Sequence, residues 1–139
     1  MAYKKKTWAE KMNPDAQLKI EKTEKAFADI PEGSIMLIAT PTIVNEYVIG
    51  IPKGTQTTLQ QMRKDLAAEY NADYTCPITS GIFVRIVAEN AYEEHQKGKP
   101  VKNITPFWRI IDLGSPAAKK LTFGTDFLIE QRRLEGLNG

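Results

Sequence analysis

The stretch that opens at Cys76-Pro77 constrains this chain more than any other. Proline fixes its own φ and lacks an N–H, so it suits the first turn of a helix and little beyond it. From Pro77 to Tyr92 no second proline follows, and Ile78, Ile82, Phe83, Ile86 and Val87 recur at helical spacing. These five are expected to fill one side of a long helix. Its opposite side would carry Gly81, Arg85, Ala88 and Tyr92. Two small residues beside a guanidinium suit close approach to another backbone or to a nucleic-acid groove, and a plain solvent face is the equal alternative.

Similar punctuation organises the rest. Asp15 to Ala28 is expected to form a helix with Leu18, Ile20, Ala26 and Phe27 as its apolar residues, ended by Ile30-Pro31-Glu32-Gly33. Ser34 to Ala39 is a short apolar run between turn signals and reads as a strand. Thr40-Pro41 reads as an N-cap with proline at the first helical position, opening a helix from Thr42 to Ile49 that presents Ile43, Val44, Tyr47 and Val48. After the tight connection Gly50–Gly54, Thr57 or Thr58 caps the next helix, with Gln60 or Gln61 as capping-box partner. That helix turns Leu59, Met62 and Leu66 inward and ends near Tyr70-Asn71. Downstream, Glu93 to Lys102 reads as a loop, Phe107 to Asp112 as a strand, Leu113 to Pro116 as a turn and Asp126 to Leu134 as a last helix.

The pattern implies a mainly α fold with a small β component. Three helices, the second and third joined by a short turn and followed by a strand, describe a winged helix-turn-helix. Residues 1–33 are expected to form a basic N-terminal arm and helix, and residues 34–139 the winged helix-turn-helix domain.

Composition excludes several classes. At 139 residues, 42% hydrophobic and 26% charged, the chain suits one soluble domain. No apolar run approaches the ~18–20 residues a membrane span needs. The lysines near the start are not followed by an apolar stretch, so no secretory signal is read there. One cysteine and one histidine rule out an internal disulfide and a histidine-rich metal site. A cytoplasmic protein without cofactor or metal is expected. Residues 1–25 hold seven lysines and four acids, a net of +3, against +2 for the whole chain, so the remaining 114 residues sum to −1. The basic character is concentrated near the N-terminus, where Lys4-Lys5-Lys6 with Trp8 reads either as a phosphate-contacting arm or as a solvated leader.

Five short motifs stand in a telling order: Ile51-Pro52-Lys53-Gly54; Thr57-Thr58-Leu59; Ile78-Thr79-Ser80-Gly81 with Arg85; Thr105-Pro106-Phe107-Trp108-Arg109-Ile110-Ile111; and Arg133-Leu134-Glu135-Gly136. From Thr42 to Gly136 the chain resembles the C-terminal domain of the O6-alkylguanine-DNA alkyltransferases, and in character their alkyltransferase-like relatives that lack the acceptor cysteine. The resemblance implies a DNA-binding domain of DNA repair that recognises alkylated or flipped bases in double-stranded DNA. It implies DNA contacts at Thr57, Thr58, Thr79, Ser80, Gly81, Arg85 and Arg109, with Arg109 serving as a phosphate contact or as a brace for its loop. Phe107 and Trp108 stand where that family carries its acceptor cysteine and the histidine beside it, so no enzyme and no catalytic residue is expected. They would form a base pocket, with one of the two rings open to a ligand. Leu59 stands in place of the family's tyrosine, Ile78 in place of the arginine that fills the space of an extruded base, and Asn103 is the nearest counterpart of its asparagine.

Other chemistry is sparse. Cys76 precedes Pro77 at a helix start, where the dipole can lower a thiol pKa, but a continuous helix would put His95 roughly 28 Å away. A buried structural cysteine is the simpler reading. The alternative function is a winged-helix module recruited for a protein partner without DNA binding.

Overall fold

The computed structural model describes residues 6–137 and arranges them around one long helix. Six α-helices are present among those residues: α1 (Trp8–Lys11), α2 (Pro41–Ile49), α3 (Leu59–Glu69), α4 (Pro77–Gln96), α5 (Pro116–Lys120) and α6 (Asp126–Leu134). A small sheet of three strands completes the fold, β1 (Lys19–Lys22), β2 (Ile35–Ile38) and β3 (Tyr74–Thr75), in the order β1-β2-β3. The protein is therefore mainly helical with a minor sheet.

Local chemistry sets the helix starts. The Thr40 hydroxyl accepts from the Ile43 N–H at 3.2 Å, and Pro41 occupies the first turn of α2. For α3 the capping residue is Thr58, whose hydroxyl accepts from the Gln61 N–H at 3.0 Å. Each such cap contributes about 1 kcal/mol. The sheet then places α4. β2 runs antiparallel to β1, with Lys19 opposite Ile38, and parallel to β3, with Leu37 opposite Thr75. The Cys76 N–H extends that pairing by donating to the Leu37 carbonyl at 2.8 Å, one residue before Pro77 starts the helix. Arg63 of α3 locks the same corner: its Nε donates to the Thr75 carbonyl, and its terminal nitrogens make a two-pronged pair with Asp29 at 2.9 and 2.8 Å.

α2, α3, α5 and α1 all pack against α4. The core between them is built from Leu37, Val44, Val48, Met62, Leu66 and Val87, joined from the C-terminal side by Phe107, Ile111 and Leu128, all within 1% of full burial. Each large side chain of this set contributes roughly 2 kcal/mol through water-free packing.

Four expectations are corrected. Asp15–Ala28 is not a helix. Its middle is β1, and the turn behind it is closed by Thr23, whose hydroxyl donates to the Pro31 carbonyl at 2.8 Å and accepts from the Ser34 N–H at 2.9 Å. Its apolar residues do not recur every three or four positions, so no helical stripe competes with backbone pairing to β2. Phe107–Asp112 is not a strand. A strand alternates its side chains between faces, whereas Phe107 and Trp108 are both buried, and a short 3₁₀ turn over Phe107–Arg109 sends both rings into the core. Among the described residues no strand follows α4, so the wing of the expected fold is missing. The expected loop from Glu93 begins only at Lys97, because α4 continues to Gln96.

The faces of α4 also differ from expectation. Ile78 and Ile82 are 56% and 51% exposed, while Ala88, assigned to the open side, is fully buried. Tyr92 stacks on Phe123 at 3.9 Å. The helix is rotated so that Gly81 and Arg85 share a surface with the two isoleucines, because α2 and α3 compete for its other sides.

Candidate functional site

The first turns of α3 and α4, the segment from Ile110 to Thr122, and Trp8 and Lys11 of α1 line one open groove of about 1100 Å³. Thr58, Gly81 and Arg85, three of the residues expected to contact DNA, line this one groove. An ideal Cβ built on Gly81 meets nothing within 4 Å, so the groove has an open shoulder there. Ile78 and Ile82 supply an apolar floor one turn apart.

The charge in the groove is lopsided. Lys11, Arg85 and Lys120 line it, against the single carboxylate of Asp112. Arg85 is held only loosely. Its Nε lies 4.0 Å from Glu89 and makes no hydrogen bond. Glu89, 2% exposed, is instead engaged by Thr122, which donates its N–H at 2.8 Å and its hydroxyl at 2.6 Å. With its Nε buried and its side chain 36% exposed, Arg85 can meet an anion in the groove only through its terminal nitrogens. The Arg85 guanidinium also sits 5.6 Å from the centre of the Trp8 ring, and the Lys11 ammonium 4.2 Å from it.

The remaining expected contacts lie elsewhere. Ser80 is fully buried and donates its hydroxyl to the Cys76 carbonyl at 2.6 Å, so it braces the first turn of α4 and cannot reach a ligand. Thr57 donates its N–H to the Arg109 carbonyl at 2.8 Å and lies outside the groove lining. Thr79 is also outside it, with its hydroxyl oxygen buried and without a hydrogen-bond partner. Arg109 braces its loop. It pairs with Glu135 at 2.9 Å and donates to the Ile51 carbonyl at 2.7 Å, which leaves no free guanidinium face for a phosphate.

The base pocket expected at Phe107 and Trp108 is corrected as well: neither ring is open to a ligand. Phe107 is fully buried and Trp108 is 3% exposed, and both pack edge-on or stacked among Phe123 and Phe127. Trp108 is further fixed by donating its Nε1–H to Glu135 at 2.7 Å. Burial by itself pushes the Glu135 carboxyl up. Hydrogen bonds from Arg109, from the Gly54 N–H and from Trp108 outweigh it and hold the group at about 2.

Trp8, Lys11 and Lys120 also line the groove; Trp8 was expected only as part of a phosphate-contacting arm or a solvated leader, and the two lysines were not named as contacts. Only Trp8 carried a signal in the sequence, beside the lysine run; Lys4 and Lys5 of that run lie outside the described residues. The approach of Lys120 depends on how the segment after Ile111 folds back, which no local pattern encodes. Cys76 is 5% exposed and has no histidine near it, since His95 binds the Lys99 carbonyl at the far end of α4. Among the described residues no cluster of three or more potential ligands could hold a metal ion, and no helix is long and apolar enough to cross a membrane. Comparisons with protein-family models, with curated proteins and with solved structures found no match.

Proposed function

We propose that this chain is a non-enzymatic DNA-binding protein, akin to the alkyltransferase-like proteins of DNA repair, and that the groove along α3 and α4 is its DNA face. In this reading α3 and α4 serve as the paired helices of a helix-turn-helix. One observation carries it: Thr58, Gly81 and Arg85 converge in a groove whose side chains hold three cations and one carboxylate. Clustered cations facing one way are the electrostatic footprint of phosphate binding. Phe107 and Trp108 offer neither a sulfur nor a base, so the reading includes no alkyl transfer; nor does it include base capture between those two buried rings.

The test is a duplex titration at several ionic strengths, with plain and alkylated DNA. With about three phosphates neutralised, log K should fall with log salt at a slope of about −2 to −3. Undetectable duplex affinity at low salt, with either DNA, removes this reading.

A second reading rests on the floor of the groove. Ile78 and Ile82 form a half-exposed apolar pair, which suits a protein partner as well as DNA. It calls for binding that is lost on Ile78→Ser or Ile82→Ser and is indifferent to salt.

A further inference from the structure

Most large rings from Tyr92 onward are committed to packing with one another. Tyr92, Phe107, Trp108, Phe123 and Phe127 form one connected cluster of stacked and edge-on rings. The groove nevertheless has one aromatic residue among its lining side chains, Trp8, contributed by the short N-terminal helix.

Trp8 is positioned rather than buried. The Thr7 hydroxyl accepts from the Glu10 N–H at 3.1 Å, and the Glu10 carboxylate accepts from the Thr7 N–H at 3.0 Å, a reciprocal cap that fixes the backbone on both sides of the indole. α1 buries none of its residues and rests on α4. The ring is then flanked by the ammonium of Lys11 at 4.2 Å and the guanidinium of Arg85 at 5.6 Å. Lys120 and the apolar floor of Ile78 and Ile82 belong to the same groove.

An indole with two cations over its ring has the composition of a nucleotide site: a flat π surface that a base can take over when a cation moves off it, and positive charge for the phosphate. Such a surface is of use only to a base whose own faces are free. In an intact duplex both faces of each base are covered by neighbours, whereas an unpaired strand presents them. We infer that the groove binds an unpaired segment of nucleic acid, with a base stacked on Trp8 and its phosphates held by Lys11, Arg85 and Lys120. Entry of the base displaces the flexible Lys11 side chain from the ring and turns its ammonium to the phosphate. The inference rests on the DNA-binding reading of the same groove and names the form of the strand.

Intrinsic fluorescence of the full chain tests it, because of the two tryptophans one is buried and one lines the groove. A short oligothymidylate should quench the emission of Trp8 and bind at least as tightly as a duplex of equal length. Trp8→Ala should weaken oligothymidylate binding about tenfold and abolish the quenching, while Trp8→Phe keeps most of the affinity. An unchanged circular dichroism spectrum of Trp8→Ala would show the fold intact. If the duplex binds with a salt slope that depends on Arg85, but the single strand is weaker, or Trp8→Ala is neutral, or no quenching occurs, the stacking inference is overturned and the DNA-binding reading stands. If only the single strand binds, with quenching that needs Trp8, duplex recognition falls and the stacking inference stands; if neither form of DNA binds, both fall.

Discussion

Trp108 donates its indole N–H to the Glu135 carboxylate at 2.7 Å, across 27 positions of the chain. The same carboxylate takes Arg109 and the Gly54 N–H, so one buried anion ties the aromatic turn, the α2–α3 connection and the C-terminal end of α6 together. A ring in this position is a structural member of the core. The relationship explains why neither Phe107 nor Trp108 presents an open ring face.

Glu135→Gln is expected to cost about 3 kcal/mol, because Arg109 is left in a mostly buried place without its counter-charge. Urea or guanidinium unfolding would show this as a lower midpoint with an unchanged slope. A midpoint equal to that of the parent protein would mean that the cluster is not tied as described.

The same carboxylate makes stability depend on acid. Its folded value of about 2 lies below its ordinary value of 4.5. A depressed carboxyl contributes stability that is complete above the ordinary value and is lost as pH falls through the folded one. The window is therefore about pH 4.5 down to about pH 2, and the contribution is on the order of 3 kcal/mol. Thermal unfolding as a function of pH should show the loss in the parent and a flatter profile in Glu135→Gln. Equal acid sensitivity in the two proteins would assign the loss to other carboxyls.

Arg85→Ala should weaken duplex binding about five- to tenfold at low salt and reduce the salt slope by about one. It also removes a cation 4.0 Å from the buried Glu89 carboxylate and the guanidinium over the Trp8 ring, so a moderate loss of stability accompanies it. An unchanged salt slope would contradict that account.

Gly81→Ala should stabilise the protein by about 0.5–1 kcal/mol. The glycine lies inside α4 without a positive φ, and its missing methyl would meet open space. A fall in melting temperature would show that the helix needs glycine there.

Cys76 should resist thiol reagents in the native state and react readily once the chain is unfolded in denaturant, since it is 5% exposed. Alkylated duplex DNA should leave no covalent label on it. Labelling by alkylated DNA would reinstate transfer chemistry.

Much of the architecture was legible from residues acting on their own neighbourhood. Pro41 and Pro77 mark the starts of α2 and α4, Thr40 and Thr58 cap their helices, and the run from Ser34 to Ala39 contains β2. These signals are local, because a cap or a first-turn proline needs only the next three residues. The segment from Asp15 to Ala28 escaped such reading, since β1 exists only through its pairing with β2. Of the residues expected as contacts, Thr58, Gly81 and Arg85 line the groove, Thr57 and Thr79 lie outside it, and Ser80, Arg109, Phe107 and Trp108 are engaged in packing and hydrogen bonds of the fold.

The amino-acid order alone determined where α2, α3, α4 and α6 begin and which residues carry charge or an aromatic ring, through short-range sterics and hydrogen bonding. Only the tertiary structure decided which side of α4 is open, that Glu135 would hold Trp108 and Arg109, and that Trp8 and Lys120 would line the same groove as Arg85. Those outcomes depend on contacts between segments distant in the chain, where several elements compete for the same buried surface.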